Sequence, residues 1–153
     1  MRQHWPEVKK VFGILAYMVK TFDPDGLDLY FTQSPEKHHH KHTKYLVNIV
    51  DKRMDNLEKG RSDISIRLDA ILNAHIAQLR RPLAIHHPLN VYILTDGIWT
   101  PSCNIVPAID KTVNMMVELS LRKQVGLQFI SFGTDPEGLA RMELVDNRLG
   151  LPQ

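Results

Sequence analysis

The chain is 153 residues long, 43% hydrophobic and 24% charged, the usage of an ordinary globular domain, which excludes a disordered, collagen-like or wholly coiled-coil chain. Nineteen Lys and Arg against seventeen Asp and Glu leave a formal charge of +2, and no basic run stands apart to supply the phosphate neutralisation on which nucleic-acid binding depends. The longest early apolar stretch, Val11 to Val19, is broken by Gly13 and is far shorter than the ~20 residues that span a bilayer. Pro6 and Glu7 precede it and no cleavage site follows, so neither a signal peptide nor a membrane span is expected. The single cysteine, Cys103, has no partner for a disulfide or a zinc site. A cytoplasmic setting is the expectation.

Val8, Val11, Phe12, Leu15, Met18, Val19 and Phe22 recur at the spacing of one helix face, which predicts a helix over about 5–21. Asp23-Pro24-Asp25-Gly26 ends it with turn chemistry. Leu27, Leu29 and Phe31 alternate with Asp28 and Tyr30, the period of a half-covered strand. From Pro35 a polar loop is expected to run to about Lys41, carrying the dense cluster His38, His39, His40 and His42. Leu46, Ile49, Val50, Met54 and Leu57 mark a second helix stopped by Gly60. Ile64, Leu68, Ile71, Leu72, His75 and Leu79 mark a third, with Ser62 or Asp63 as its cap.

Arg81 to Pro88 reads as a connector, and Val91 to Leu94 as an apolar strand covered on both faces. Ser102 or Asn104 caps a fourth helix reaching about Arg122, and Val125 to Phe132 forms the next strand. Strand, helix and strand at this spacing imply a right-handed parallel crossover. Thr134 or Asp135 caps the last helix, whose apolar face is Leu139, Met142, Val145 and Leu149. The expectation is one α/β domain over residues 1–150 with a short tail at 151–153.

Thr95-Asp96-Gly97 places a carboxylate where the Val91–Leu94 strand ends, and ligands of open α/β sheets bind outside the carboxyl ends of strands. Asp96 either ligates a hard cation such as Mg²⁺ or caps the following turn. The histidine cluster is expected to be a solvated loop that binds Ni²⁺, Cu²⁺ or Zn²⁺ only incidentally. Trp99 is placed either on the rim of the crevice, as a partner contact with Thr95, or packed over the strand end. His75 reads as a core histidine, and Cys103 as a partly buried thiol rather than a nucleophile.

The combination of Asp23-Pro24-Asp25-Gly26-Leu27-Asp28-Leu29-Tyr30-Phe31, Gly60-Arg61-Ser62-Asp63-Ile64, Val91-Tyr92-Ile93-Leu94-Thr95-Asp96-Gly97 and Val125-Gly126-Leu127-Gln128-Phe129-Ile130-Ser131-Phe132-Gly133 resembles a von Willebrand factor type A domain of the intracellular, fungal-type branch. The resemblance implies a Rossmann-like, mostly parallel sheet with helices on both faces. It also implies a metal-ion-dependent adhesion site built from an Asp-x-Ser-x-Ser loop after the first strand, a Thr from a second loop and an Asp from a third. Asp96 matches the last of these and Ser62 stands at the threonine position. The first loop has no counterpart, because the segment that follows it in the family matches Gln3-His4-Trp5, so the first central strand is expected to be missing. Mg²⁺ would then be held weakly or not at all.

These residues lead to the expectation of a non-enzymatic protein-interaction module with a degenerate adhesion site, engaging an acidic side chain on a partner protein. A Mg²⁺-dependent hydrolase or phosphotransferase of Rossmann-like fold is the rival class, and it lacks an Asp-x-Asp at a strand end and a Gly-rich phosphate loop. A decayed fragment without function is the third alternative.

Overall fold

The computed structural model describes residues 1–23, 25–53, 61–81, 87–121 and 124–148. Among them the chain is mixed α/β, with five α-helices and two two-stranded sheets, one antiparallel and one parallel. It divides into two compact units, Met1–Gly60 and Arg61–Gln153. No helix among the described residues is long and apolar enough to cross a membrane.

In the first unit a short 3₁₀ turn leads into α1 (Trp5–Lys20), followed by β1 (Leu27–Tyr30), β2 (Lys37–His40) and α2 (Thr43–Arg53). Pro6 sits in the first turn of α1, where its missing N–H has no intrahelical acceptor to lose. The helix buries Trp5, Val8 and Ala16, and the Trp5 indole donates to the Val50 carbonyl on α2 at 3.1 Å. The predicted apolar face holds only in part, since Met18 and Phe22 lie on the exposed side.

The segment expected as a polar loop is a strand instead. Lys37 to His40 pairs antiparallel with β1, placing Leu27 opposite His40 and Leu29 opposite His38. Exposed Lys37 and His39 alternate with half-buried His38 and His40, so polar residues follow the strand period because β1 supplies the ladder and Asp28 supplies the charge. Gly26 permits the hairpin. Its φ is +112°, and a Cβ there would stand 2.9 Å from the His40 carbonyl oxygen. The predicted end of α2, at Met54, Leu57 and Gly60, lies outside the described residues.

The second unit contains α3 (Ser65–Leu79), β3 (Leu89–Thr95), α4 (Val106–Glu118), β4 (Val125–Ser131) and α5 (Pro136–Arg148). β3 and β4 pair in parallel, Leu89 opposite Val125 through Thr95 opposite Ser131, with α4 as the crossover that parallel pairing requires. Asp63, Asn104 and Asp135 each accept an N–H two residues on, at 2.8, 3.1 and 2.9 Å; of the capping pairs expected from sequence, these are the members seen to bond. The core joins Ile64, Leu68 and Leu72 to Trp99, Ile105, Ala108, Ile109 and Val145, with Ile93, Leu127 and Phe129 against it. β1 and β2 form the sheet of the first unit, and β3 and β4 that of the second.

Leu72 is 1% exposed, so Leu72→Ala leaves a cavity and is expected to lower the unfolding free energy of this unit by about 2–5 kcal/mol. Chemical denaturation followed by Trp99 fluorescence in a Trp5→Phe background measures it, and a midpoint equal to that of the background would contradict the packing described.

Candidate functional site

The carboxyl end of β3 is where this chain concentrates polar groups around a sharp reversal. Thr95, the last residue of the strand, is 4% exposed, and its hydroxyl accepts both the Gly97 N–H at 3.0 Å and the Trp99 indole N–H at 2.8 Å. Asp96 is half-buried, and its Oδ1 accepts the Ile98 N–H at 3.2 Å. Gly97 turns the chain with φ of +73°, and a Cβ there would lie 2.5 Å from the Gly138 carbonyl oxygen. The loop therefore meets the first turn of α5 backbone against backbone, a contact only glycine allows. Trp99 then returns to the core at 2% exposure.

Three other segments fasten this loop. Ser62 pairs with Trp99 as an isolated parallel bridge, and its carbonyl accepts the Thr100 N–H at 3.0 Å. Arg61 donates to the Trp99 carbonyl at 3.2 Å and binds Glu137 with both terminal nitrogens, the Nη2 to Oε2 contact being 2.7 Å. Arg141 donates to the Thr100 carbonyl at 3.3 Å and lies 5.5 Å above the Trp99 ring. The hydrogen bonds from Arg61 hold the Glu137 carboxyl below the usual carboxylate range, and Glu137 in turn raises Arg61. The Ser65 hydroxyl bonded to Asp63 lowers that carboxyl, while burial pushes the Cys103 thiol up; the thiolate a nucleophile needs is disfavoured.

Ser62 and Asp96 thus belong to one loop cluster, joined through the Ser62 pairing with Trp99 and Thr100. Thr95 and Trp99 are not rim residues. Both are buried, because the indole has to satisfy its N–H inside the core and the Thr95 hydroxyl is the group that does so, which removes them as direct partner contacts. His75 is buried on α3. Arg61, Glu137 and Arg141 were not singled out from the sequence. Arg61 and Glu137 lie 76 residues apart, and no spacing rule reaches that far.

Mg²⁺ prefers six oxygen ligands, and the side chains matched to the adhesion site offer one carboxylate and one hydroxyl. Among the described residues no group of three or more His, Cys, Asp or Glu side chains could hold a metal ion. The donor set does not fit a resident divalent ion. The four histidines do not gather into one group of ligands, although His40 and His42 stand with ring centroids 5.3 Å apart. His39 Nδ1 meets Asp28 Oδ1 at 2.7 Å, while His38 faces Glu36 at 3.5 Å and Phe31 edge-on. His40 stacks on Tyr45 with centroids 4.3 Å apart, and its Nδ1 accepts the His42 N–H at 2.9 Å. Within β2 the strand period sends His39 to the face opposite His38 and His40, which corrects the expected solvated loop to a hairpin strand as far as His40.

No family model, no curated protein and no solved structure matches the chain.

The Arg61–Glu137 pair sets a pH limit on the loop. A depressed carboxyl pKa contributes stability that is fully present above the ordinary Glu value, ~4.3, and is lost as pH falls through the lowered folded value. Amide exchange at Trp99 and Thr100 is therefore expected to be unchanged by protonation of this pair between pH 5 and pH 8 (about two units above ordinary Glu titration at the midpoint) and to lose protection only in acid. Arg61→Ala should show the loosened loop at every pH; an unchanged exchange rate in that variant would rule out the clamp.

Proposed function

We propose that this chain is a non-enzymatic protein-interaction module of von Willebrand factor type A character, with a Rossmann-like arrangement built on the parallel β3–β4 pair. The surface around Asp96 and Ser62 engages an acidic side chain on a partner protein. The observation that carries the reading is the fastened loop at the carboxyl end of β3, with Asp96 on it, Ser62 paired to Trp99 in it and the Arg61 guanidinium bonded to the Trp99 carbonyl and to Glu137. Parallel pairing of β3 with β4 through α4 supports the Rossmann-like part.

Engagement here is independent of a metal. Arg61 is exposed and presents two nitrogens to Glu137, the fork geometry suited to a carboxylate. A partner carboxylate takes the place of Glu137 on that fork, and Glu137 acts as the internal competitor. Arg141 adds positive charge on the neighbouring turn of α5.

An oligo-glutamate peptide titrated by calorimetry tests this. Binding is expected with and without EDTA, strengthened roughly tenfold in Glu137→Gln, where the competing charge is removed, about the worth of one charge-assisted hydrogen bond. It should be lost in Arg61→Ala. No binding by either the wild type or Glu137→Gln sinks the reading. A melting temperature raised by millimolar Mg²⁺ or Mn²⁺ and flat in Asp96→Ala would show instead that a metal completes the site.

A further inference from the structure

β3 has two hydrogen-bonding edges, and the ladder shows which residues serve each. Leu89 N donates to the Gln124 carbonyl at 2.8 Å, and Phe132 N donates to the Thr95 carbonyl at 2.9 Å. In a parallel ladder the N–H and C=O of one residue face the same neighbour, and successive residues alternate. Leu89, Val91, Ile93 and Thr95 therefore face β4, while Asn90, Tyr92 and Leu94 turn their backbone groups to the opposite edge. Among the described residues no strand pairs there. Tyr92 and Leu94 are half-buried, and their outward N–H and C=O groups can take a strand partner.

Proteins blunt such edges with lysine, proline, bulges or inward charges. Leu89 to Thr95 contains no charged residue, no proline and no glycine. The outer edge of β4, served by Val125, Leu127, Phe129 and Ser131, is different, because Gly126 interrupts that strand and weakens it as a template.

We propose that the free edge of β3 is a self-association surface, on which β3 of a second copy pairs antiparallel about a two-fold axis at Tyr92. The register selects this occupant. With Tyr92 opposite its own equivalent, Asn90 falls opposite Leu94 and Leu94 opposite Asn90. All three are the outward-turned residues, so each meets its partner in a hydrogen-bonded pair and no outward group is left over. Val91 falls opposite Ile93 in the closer, non-hydrogen-bonded pairs, where β-branched side chains pack well. The strand carries no charge, so two copies approach without repulsion, whereas β1 and β2 of another copy would bring Asp28, Lys37 and the histidines against an apolar edge. A closed two-fold interface also leaves no further edge of β3 open. This inference does not depend on the carboxyl-edge reading.

Sedimentation equilibrium combined with residue-resolved amide exchange tests it on the full chain. The expected result is a mass rising with concentration from one chain to two, with exchange at Asn90, Tyr92 and Leu94 slowing at least tenfold in step and exchange at Val91 and Ile93 unchanged. Tyr92→Pro removes one outward N–H without touching the β4 ladder and should leave a monomer. Tyr92→Lys, which keeps the backbone and sets two lysines face to face at the axis, should do the same if the proline variant does not fold. A single-chain mass at all concentrations overturns the proposal. So do slow amides at Tyr92 and Leu94 in the monomer, which would mean that one copy covers its own edge, concentration-dependent protection at Leu127 and Phe129 instead, or a Tyr92→Lys dimer.

Discussion

A buried hydrogen bond between the Trp99 indole and the Thr95 hydroxyl, 2.8 Å long, governs the course of the chain at the carboxyl end of β3. A tryptophan brings the largest apolar side chain and one donor, and inside a core that donor has to be met. Thr95 meets it from the last position of the strand and with the same oxygen receives the Gly97 N–H. The chain must therefore double back at once, and the ring lands among Ile64, Ile105, Ile109 and Val145 rather than in solvent. Replacing the hydroxyl would strand a buried N–H, a loss of about 1–3 kcal/mol.

The reversal dictates what can stand around it. Gly97 and Gly138 allow the loop and the start of α5 to approach with no side chain between them, and Asp135 holds the first turn of that helix in place by accepting two of its N–H groups. Arg61 then reaches the Trp99 carbonyl and Glu137 together, so one guanidinium ties the segment before α3 to the loop and to α5. In the first unit Trp5 solves the same problem differently: its N–H goes to a carbonyl on α2, which fixes the helix pair rather than a turn. Both cores are organised by where an indole finds its acceptor.

Much of this was legible residue by residue. Among the described residues the helices stand within a few residues of where their periodicity puts them, the expected ends at Gly60, Arg122 and Leu149 lying outside those residues, and Asp63, Asn104 and Asp135 bond as capping residues do, because a cap interacts with the two or three residues beside it. β3 announced itself as an uninterrupted apolar run, and the parallel crossover followed from the length of what lies between it and β4. Asp96 was legible as the carboxylate at a strand end, and the segment of Ser62 pairs with the loop that follows it. Lys37–His40 was misread as a loop because hydrophobicity is the usual mark of a strand, and here the pleat is filled by histidines whose partners, Asp28 and Phe31, come from across the hairpin.

The sequence by itself determined the local elements, their order and the chemistry available at each strand end, since propensity, periodicity and capping act over a few neighbouring residues. Only the tertiary structure decided that Trp99 is buried rather than displayed, that His39 turns away from His38 and His40 toward Asp28, that Arg61 is shared between a carbonyl and Glu137, and that Asn90, Tyr92 and Leu94 turn their backbone toward an open edge. The physical reason is the same in each case. Burial, ion pairing and ladder register depend on which groups the fold brings together, some of them, such as Arg61 and Glu137, tens of residues apart, and periodicity and capping do not specify those meetings.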